Sequence, residues 1–295
     1  MKVPSAFGAL FFTLAALSSP AAEAPRIVVI GDLHGDLDAT RRALLLGGAI
    51  DADDNWIGGE LIVVQTGDRL DRGDDEQEIL DLFEALRSSA AEAGGAVHAL
   101  LGNHELMNAK GDLRYVTEGG FTDFADAVDF DPADSSLARF PPLHRARMAA
   151  FLPGRPYALQ LAERSVVLEV NDNLFVHGGV LPRHVEYGIE KINAETRAWL
   201  RGEADRPAIL DGSDSPQWSR LYSDGADEDA CEVLRRVLRE VGAKRMIVGH
   251  TVQEHGIQAI CDSLAWGIDT GLAAHYGGPM QVLEIRGDKV RVLSE

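Results

Sequence analysis

The residues between positions 27 and 101 alternate between short apolar strands and longer stretches with helical periodicity. Strands are predicted at 27–30 (IVVI), 61–65 (LIVVQ) and 96–101 (AVHALL). Helices are predicted between them, at 36–46 and 74–93. The second helix begins with three acidic residues, Asp74, Asp75 and Glu76, a composition that the helix dipole favours. This β-α-β-α-β order predicts an α/β layered domain.

The rest of the chain is less regular and richer in strands. The segment 106–156 has no clean period, and we interpret it as an insertion of short helices. Residues 165–170 and 173–179 predict a hairpin. Helices are predicted at 182–201 and 227–241, and short strands at 245–251, 256–260, 264–269, 280–285 and 289–293. Because no repeat or linker interrupts the chain, a single domain is predicted over residues 25–295.

The first 24 residues have the pattern of a secretory signal peptide. A basic residue, Lys2, precedes an apolar run at 6–17, and small residues follow it. The run holds about 12 residues, whereas a helix that crosses a bilayer needs roughly 20. The sequence therefore favours cleavage after residue 21 or 22, rather than after residue 24, over an uncleaved membrane anchor, and predicts a secreted or periplasmic protein.

The charge balance argues against nucleic acid as a partner. Acidic residues number 47 and basic residues 28, for a net charge of −19, and no run of lysine and arginine offsets it.

The two cysteines, Cys231 and Cys261, are too few to form a zinc site by themselves, and their pairing stays open. We expect His144 and His184 on the surface. The sequence does not specify an oligomeric state.

Five predicted strands each end in a short polar block that contains glycine. The blocks are GDLHGD at 31–36, GDRLDRG at 67–73, GNHE at 102–105, HGG at 177–179 and GHT at 249–251. Ligands of α/β sheets bind beyond the carboxyl ends of the strands, so these loops are expected to meet at one place. Each block alone is a weak signal, but five in this position favour a functional site.

The blocks supply a set of carboxylate, amide and imidazole groups without thiolate. Its six members are Asp32, His34, Asp68, Asn103, His177 and His250. This donor set suits Mn, Fe or Zn better than Mg, Ca or Cu(I). A cluster of this size, with one carboxylate as a bridge, predicts two divalent ions about 3.5–4 Å apart, an arrangement that activates water and holds a phosphoryl oxygen.

These blocks resemble those of the calcineurin-like metallophosphoesterases. The ending DRG of the second block narrows the resemblance to the phosphoprotein phosphatase branch, and GNHELMNAKGDLRYVT at 102–117 to the Shewanella-like, bacterial-type phosphatases. The resemblance implies a four-layer α/β/β/α sandwich with a helical insertion over the cleft. It also implies a di-metal phosphomonoester hydrolase, in which a hydroxide that bridges the metals attacks phosphorus in line.

The resemblance implies a role for each matching residue. Asp32 and His34 match ligands of the first metal, Asp68 matches the bridge, and Asn103, His177 and His250 match ligands of the second metal. His104 matches the general acid that protonates the leaving oxygen, and Asp71 the carboxylate paired with it. Arg72 matches a phosphate-binding arginine, and Arg220 is the candidate for a second. Two divalent ions are implied, and Mn is the expected activator in vitro.

One departure and several alternatives remain. The last block reads GHTV, with Val252 where many metallophosphoesterases carry a further histidine. The absence of that histidine resembles the pattern of the phosphoprotein phosphatases. A phosphorylated protein or a small phosphomonoester is the expected substrate, and phosphotyrosine is favoured slightly over phosphoserine and phosphothreonine. The segment 267–278 is similar to one in hydrolases of diadenosine polyphosphates, so a nucleotide substrate is the alternative. A non-catalytic, metal-dependent phosphate-binding module is the other.

Overall fold

The computed structural model describes residues 24–295, so the predicted signal peptide lies almost wholly outside the described residues. Within those residues, no helix combines the length and apolar character that a membrane span requires.

The described residues form ten strands and nine α-helices. The strands are β1 Arg26–Ile30, β2 Ile62–Gln65, β3 Ala96–Ala99, β4 Val167–Val170, β5 Asn173–Val176, β6 Arg245–Val248, β7 Gln258–Ile260, β8 Ala265–Gly267, β9 Gln281–Arg286 and β10 Lys289–Ser294. The helices are α1 Leu37–Leu46, α2 Glu76–Glu92, α3 Asn103–Lys110, α4 Glu118–Asp123, α5 Arg145–Phe151, α6 Pro156–Ala162, α7 Pro182–Tyr187, α8 Ile189–Leu200 and α9 Glu228–Val241.

The strands form two five-stranded mixed sheets. The first has the order β10-β9-β1-β2-β3, and the second has the order β4-β5-β6-β8-β7. In the first sheet β1, β2 and β3 are parallel, and in the second β5, β6 and β8 are parallel. The polar blocks after β1, β2 and β3 therefore leave one sheet at a single edge, and those after β5 and β6 leave the other sheet in the same way.

Alternation along the strands explains the four layers. Ile27 and Val29 of β1 pack in one apolar cluster with Phe175 of β5 and Ile247 of β6, so this cluster lies between the two sheets. The intervening residues of β1, Val28 and Ile30, pack instead with α1 and α2 side chains. The outer face of the second sheet packs against α5, α6, α8 and α9. The order of layers is therefore α/β/β/α, as predicted.

The predicted insertion is helical. Between β3 and β4 the chain forms α3, α4, a 3₁₀ turn at Pro142–His144, α5 and α6. Phe124, Met148 and Phe151 from this region are fully buried and belong to the same core as the outer face of the second sheet. The insertion therefore packs as part of the outer helical layer.

The predicted helix at 182–201 is divided in two. Gly188 separates α7 from α8 with a φ of 102°, a conformation that favours glycine and that no α-helix accommodates. The helical periodicity on both sides of Gly188 concealed this break. The helix at 227–241 is confirmed as α9, where the Asp227 side chain accepts the Ala230 N–H as an N-cap.

The open question of the cysteines is answered by a disulfide. Cys231 on α9 is bonded to Cys261 in the turn between β7 and β8. The bond closes a loop that starts at the outer helical layer and returns to the edge of the second sheet.

The predicted surface position of His184 is wrong, because the side chain is buried at the start of α7. Its Nδ1 accepts the Leu181 backbone N–H at 2.9 Å, a capping role that sequence periodicity does not reveal. Burial lowers the pKa of His184 to about 4, and the neighbouring Arg183 adds to the effect. The imidazole is therefore neutral in the folded protein at neutral pH.

This burial predicts a loss of stability in mild acid. Between pH 6.5, the ordinary pKa of histidine, and about pH 4, the unfolded chain binds a proton at this position that the folded chain does not. The free energy of unfolding should fall by about 3 kcal/mol as the pH decreases through this window. Denaturant titrations at several pH values check this against His184→Asn, whose Oδ1 can take the place of the Nδ1 acceptor and which does not titrate. An equal pH dependence in both proteins would contradict the prediction.

Candidate metal centre

The loops after five strands meet at one cleft between the two sheet edges. The first two are joined directly, because the backbone N–H groups of Leu33 and His34 both donate to the Asp68 carbonyl, at 2.9 and 3.0 Å. The loop after β6 joins them where the His250 N–H donates to the Asp32 carboxylate at 3.2 Å. The structure thus brings together all six residues that the sequence analysis proposed as metal ligands.

The Asp68 carboxylate lies at the middle of this cluster. Its Oδ2 is 3.1 Å from His177 Nε2 and 3.7 Å from His104 Nε2, and the side chain is only 2% exposed. Burial alone would raise the pKa of Asp68, but the imidazoles of His177 and His104 outweigh burial and hold the pKa well below its usual range. Asp68 is therefore an anion in contact with imidazoles on two sides.

Two imidazoles are oriented by backbone carbonyls. Nδ1 of His34 lies 3.1 Å from the Leu70 carbonyl, and Nδ1 of His177 lies 3.0 Å from the Thr66 carbonyl. A carbonyl only accepts, so each Nδ1 carries a proton, and Nε2 is the ring atom that each histidine can offer to a cation in the cleft. Such second contacts fix the tautomer of histidines that bind metals.

Nε2 atoms of this cluster lie beside other atoms that can bind a cation. Nε2 of His177 is 3.0 Å from the Asn103 carboxamide oxygen and 3.1 Å from Asp68 Oδ2, so three possible ligand atoms lie together. Nε2 of His250 is buried and has no hydrogen-bond partner. Burial lowers the pKa of His34 to about 3 and that of His250 to about 2, so both rings are neutral, as ligation requires. The donor set fits divalent ions bound by nitrogen and oxygen.

The shortest distances define two overlapping groups of donor atoms. One group is His34, Asp68 and His104; the other is Asp68, His177 and His250; in each, the donor atoms lie within 4.8 Å of one another. Asp68 belongs to both, which is the geometry of a bridge. Asp32 lies at the edge of the first group, with its Oδ2 3.9 Å from His34 Nε2. Distance alone thus leaves His104 and Asp32 as competing members of that group.

The contacts of His104 favour a different task from ligation. Its Nδ1 donates to Asp71 Oδ2 at 2.6 Å, and Nε2 faces the cleft. Burial alone would lower the pKa of His104, but Asp68 and Asp71 outweigh it and raise the pKa above its usual value. A protonated imidazole whose free N–H faces a cleft is suited to donating a proton.

Two arginines lie at the mouth of the cleft, which has a volume of about 470 Å³. The Arg72 guanidinium lies between the rings of Tyr115 and Tyr276, at 4.9 and 5.2 Å from their centroids. Arg220 donates to the His250 carbonyl at 3.0 Å and to the Thr251 hydroxyl at 2.9 Å. Both candidate phosphate-binding arginines therefore line the same space as the histidines.

Several residues of the cluster have left-handed backbone conformations. Positive φ angles of 46° to 71° occur at His34, Asp68, Asp71, Arg72 and His250. Such conformations cost about 1–3 kcal/mol each for residues other than glycine and persist where the surroundings enforce them. Five of the eleven such residues in the described part of the chain belong to this cleft, and the other six lie at 54, 171–172 and 261–263.

Glu105 holds two of the loops together and was not singled out from the sequence. Its fully buried carboxylate accepts the backbone N–H groups of Asp68, Arg69 and Gly102 at 2.8–2.9 Å. Gly102 is the N-cap of α3 and Glu105 its third residue, so a glutamate placed three residues after the N-cap was the available signal. Glu105 thereby fixes the central carboxylate relative to the start of α3.

Glu105→Gln should destabilise the protein by about 2–3 kcal/mol, because a carboxamide places an N–H group against backbone donors in a buried site. Chemical denaturation of the metal-free protein measures this loss without any contribution from bound ions. The exposed Glu60 offers the matched control, and Glu60→Gln should change the unfolding free energy little. Equal stability of the two variants would show that Glu105 does not hold the loops.

Comparisons with known proteins show the family of this chain. A sequence model of the calcineurin-like phosphoesterases matches residues 25–254. Shewanella-like protein phosphatase 2 of Arabidopsis thaliana is 40% identical, over 91% of this chain and 77% of that protein. Shewanella-like protein phosphatase 1 of Plasmodium berghei is 28% identical, over 91% of this chain and 74% of its own length.

Solved structures share the fold. The cold-active protein-tyrosine phosphatase of a psychrophilic Shewanella species has a TM-score of 0.68 and 27% identity, with 92% of this chain and 81% of that chain covered. A protein serine/threonine phosphatase of Saccharomyces cerevisiae matches with a TM-score of 0.61 at 15% identity and shows the fold alone, over 94% of this chain and 82% of its own. The predicted fold class is confirmed.

Proposed function

The chain belongs to the calcineurin-like phosphoesterase family, as its motifs predict, and we propose that it is a metal-dependent protein phosphatase that acts on phosphotyrosine. The observation that carries the proposal is the position of Asp68, which touches imidazoles on both sides and is shared by two groups of ligand atoms. A chain that only bound phosphate would not need a proton donor beside that carboxylate.

We assign Asp32, His34 and Asp68 to one ion, and Asp68, Asn103, His177 and His250 to the other. The ions, when bound, activate water and draw charge from the phosphoryl group. Manganese is the metal that we expect to support activity in vitro, since nitrogen and oxygen donors without thiolate suit it.

The side chains around the ligands complete the reaction. Arg72 and Arg220 hold the phosphoryl oxygens through planar guanidinium groups. His104 gives a proton from Nε2 to the oxygen that leaves phosphorus, and Asp71 stabilises the imidazolium before that transfer. The phosphoryl group passes to water, so no serine or cysteine nucleophile is required.

The walls of the cleft favour an aromatic substrate. Tyr115, Tyr276 and Trp218 line it together with Arg72. Aromatic side chains stack on a phenyl ring at a gain of about 0.5–1.5 kcal/mol beyond simple burial. A relative of known structure is named a protein-tyrosine phosphatase, which agrees with this preference.

We also propose that the protein is exported. The disulfide between Cys231 and Cys261 agrees with the predicted signal peptide, because disulfides persist in oxidising compartments. Sequencing the amino terminus of the mature protein would test cleavage near residue 22.

A phosphopeptide panel tests the substrate class. Peptides that differ only in phosphotyrosine, phosphoserine or phosphothreonine are assayed with manganese, beside diadenosine tetraphosphate. The proposal expects kcat/KM for the phosphotyrosine peptide to be highest, by about tenfold, which corresponds to roughly 1.4 kcal/mol. A higher value for the dinucleotide would identify a nucleotide hydrolase instead.

A further inference from the structure

Arg147 is a fully buried arginine that reaches the candidate proton donor from another part of the fold. It lies on α5, in the helical insertion, and its Nη2 is 3.3 Å from Asp71 Oδ1. Asp71 Oδ2, the other carboxylate oxygen, accepts from His104. Arg147 thereby links α5 to the cleft.

The guanidinium is held on every side. Its Nε donates to the Asn108 carboxamide at 2.7 Å, its Nη1 donates to the Gly120 carbonyl at 2.8 Å, and its Nη2 also pairs with Glu76. The rings of Phe124 and Phe151 lie over it at about 5 Å. A planar fork with fixed donors suits such a site, and a lysine does not reproduce it.

The Arg147 guanidinium lies between two buried carboxyl groups. Asp71 and Glu76 are both fully buried, and Glu76 accepts the Asp71 backbone N–H at 2.8 Å. Without Arg147 these two carboxylates face each other in a site that excludes water. Loss of one partner leaves the other buried group uncompensated, so the orientation of Asp71 is no longer fixed from this side.

Asn108 is the second residue that fixes the Asp71 carboxylate by a hydrogen bond. Its Nδ2 donates to Asp71 Oδ1 at 2.9 Å and to the His104 carbonyl at 3.0 Å, while its oxygen accepts from Arg147. Oδ1 of Asp71 is thus fixed by two donors, and Oδ2 has a single direction left, toward His104 Nδ1. The ring of His104 is then held with Nε2 in the cleft.

We propose that Arg147 is a positioning residue for protonation of the leaving group: with Asn108, it fixes the Asp71 carboxylate that orients His104. The inference rests on the proposed function, since it assigns a supporting group to the same proton donor. Its consequence is specific, because a displaced proton donor slows only those substrates whose leaving oxygen needs a proton.

A series of aryl phosphates separates this role from a general structural one. Dinitrophenyl, p-nitrophenyl and phenyl phosphate differ in how strongly the leaving phenoxide requires protonation. For Arg147→Lys we expect kcat on phenyl phosphate to fall on the order of tenfold, with kcat on dinitrophenyl phosphate and both KM values within about twofold of the parent protein. Asn108→Ala should show the same pattern at smaller amplitude.

The chain offers a matched control for exchanging a buried arginine. Arg164 is buried, pairs with Glu84 of α2 and does not line the cleft. Arg164→Lys should leave the ratio of the dinitrophenyl and phenyl rates unchanged. In an Asp71→Asn background, Arg147→Lys should have no further effect on that ratio, because the group it positions is gone.

A metal-free readout is independent of turnover. The proton between His104 Nδ1 and Asp71 should give a downfield resonance in the NMR spectrum of the metal-stripped protein. Arg147→Lys should shift or broaden this resonance, and Arg164→Lys should not. If Arg147→Lys does not fold, Asn108→Ala carries both measurements.

The outcomes are distinct. Equal losses on all three aryl phosphates, or an unshifted resonance in both Arg147→Lys and Asn108→Ala, would overturn the role of Arg147 and leave the phosphatase proposal intact. A parent protein that hydrolyses none of the three with any divalent metal would overturn the proposed function and, with it, this inference.

Discussion

Asp68→Asn is expected to reduce phosphatase turnover on the order of 10³-fold or more and to weaken the binding of both divalent ions. Asp68 belongs to both groups of ligand atoms, and its carboxylate is shared between them. A carboxamide keeps the shape and still accepts the His104 N–H that now donates to Oδ1 at 2.9 Å. It lacks the negative charge and the second ligand oxygen, so several kcal/mol of stabilisation should be lost.

The measurement is metal content and calorimetric titration of the stripped protein, beside initial rates with manganese. Asp74 is the control, since it is an exposed aspartate in the same loop. Asp74→Asn should bind two ions and retain turnover within about twofold. Two tightly bound ions in Asp68→Asn would contradict the bridging position.

His104→Asn is expected to lower kcat on phenyl phosphate by about 10²–10⁴-fold while two ions remain bound. His104 is paired with Asp71 at 2.6 Å and faces the cleft, and these contacts suit a proton donor. The loss on dinitrophenyl phosphate should be much smaller, because its phenoxide leaves without a proton.

The same variant decides between two readings of the first ligand group. The shortest distances group His104 with His34 and Asp68, whereas the motif assigns that place to Asp32. Loss of one ion in His104→Asn would make His104 a ligand and would remove it as the proton donor. His255 is exposed, and His255→Asn provides the control for the loss of a histidine.

Much of the site was accessible from the sequence because strand ends are easy to recognise. A parallel sheet aligns the carboxyl ends of its strands, so a glycine and a polar residue after each strand are enough to predict convergence. Asp32, Asp68 and His250 were found in this way.

The supporting residues were harder to predict because their partners are distant in sequence. Arg147 and Asp71 are 76 positions apart, and no periodicity relates them. Glu76 looked like an ordinary acidic residue in the first turn of α2, yet it is fully buried against Arg147. His184 is likewise buried by its tertiary surroundings, although the sequence predicted a surface position. The positive φ of Gly188, which divides the helix predicted at 182–201, is not indicated by the helical periodicity on either side of it.

The most direct test of the central claim is phosphate release from a phosphotyrosine peptide by metal-stripped protein during stepwise addition of manganese. The account predicts no release at the start, a rise with added metal and saturation at two ions per chain. Release by the stripped protein, or two bound ions with no release, would contradict it, and the second result would indicate a phosphate-binding module without turnover.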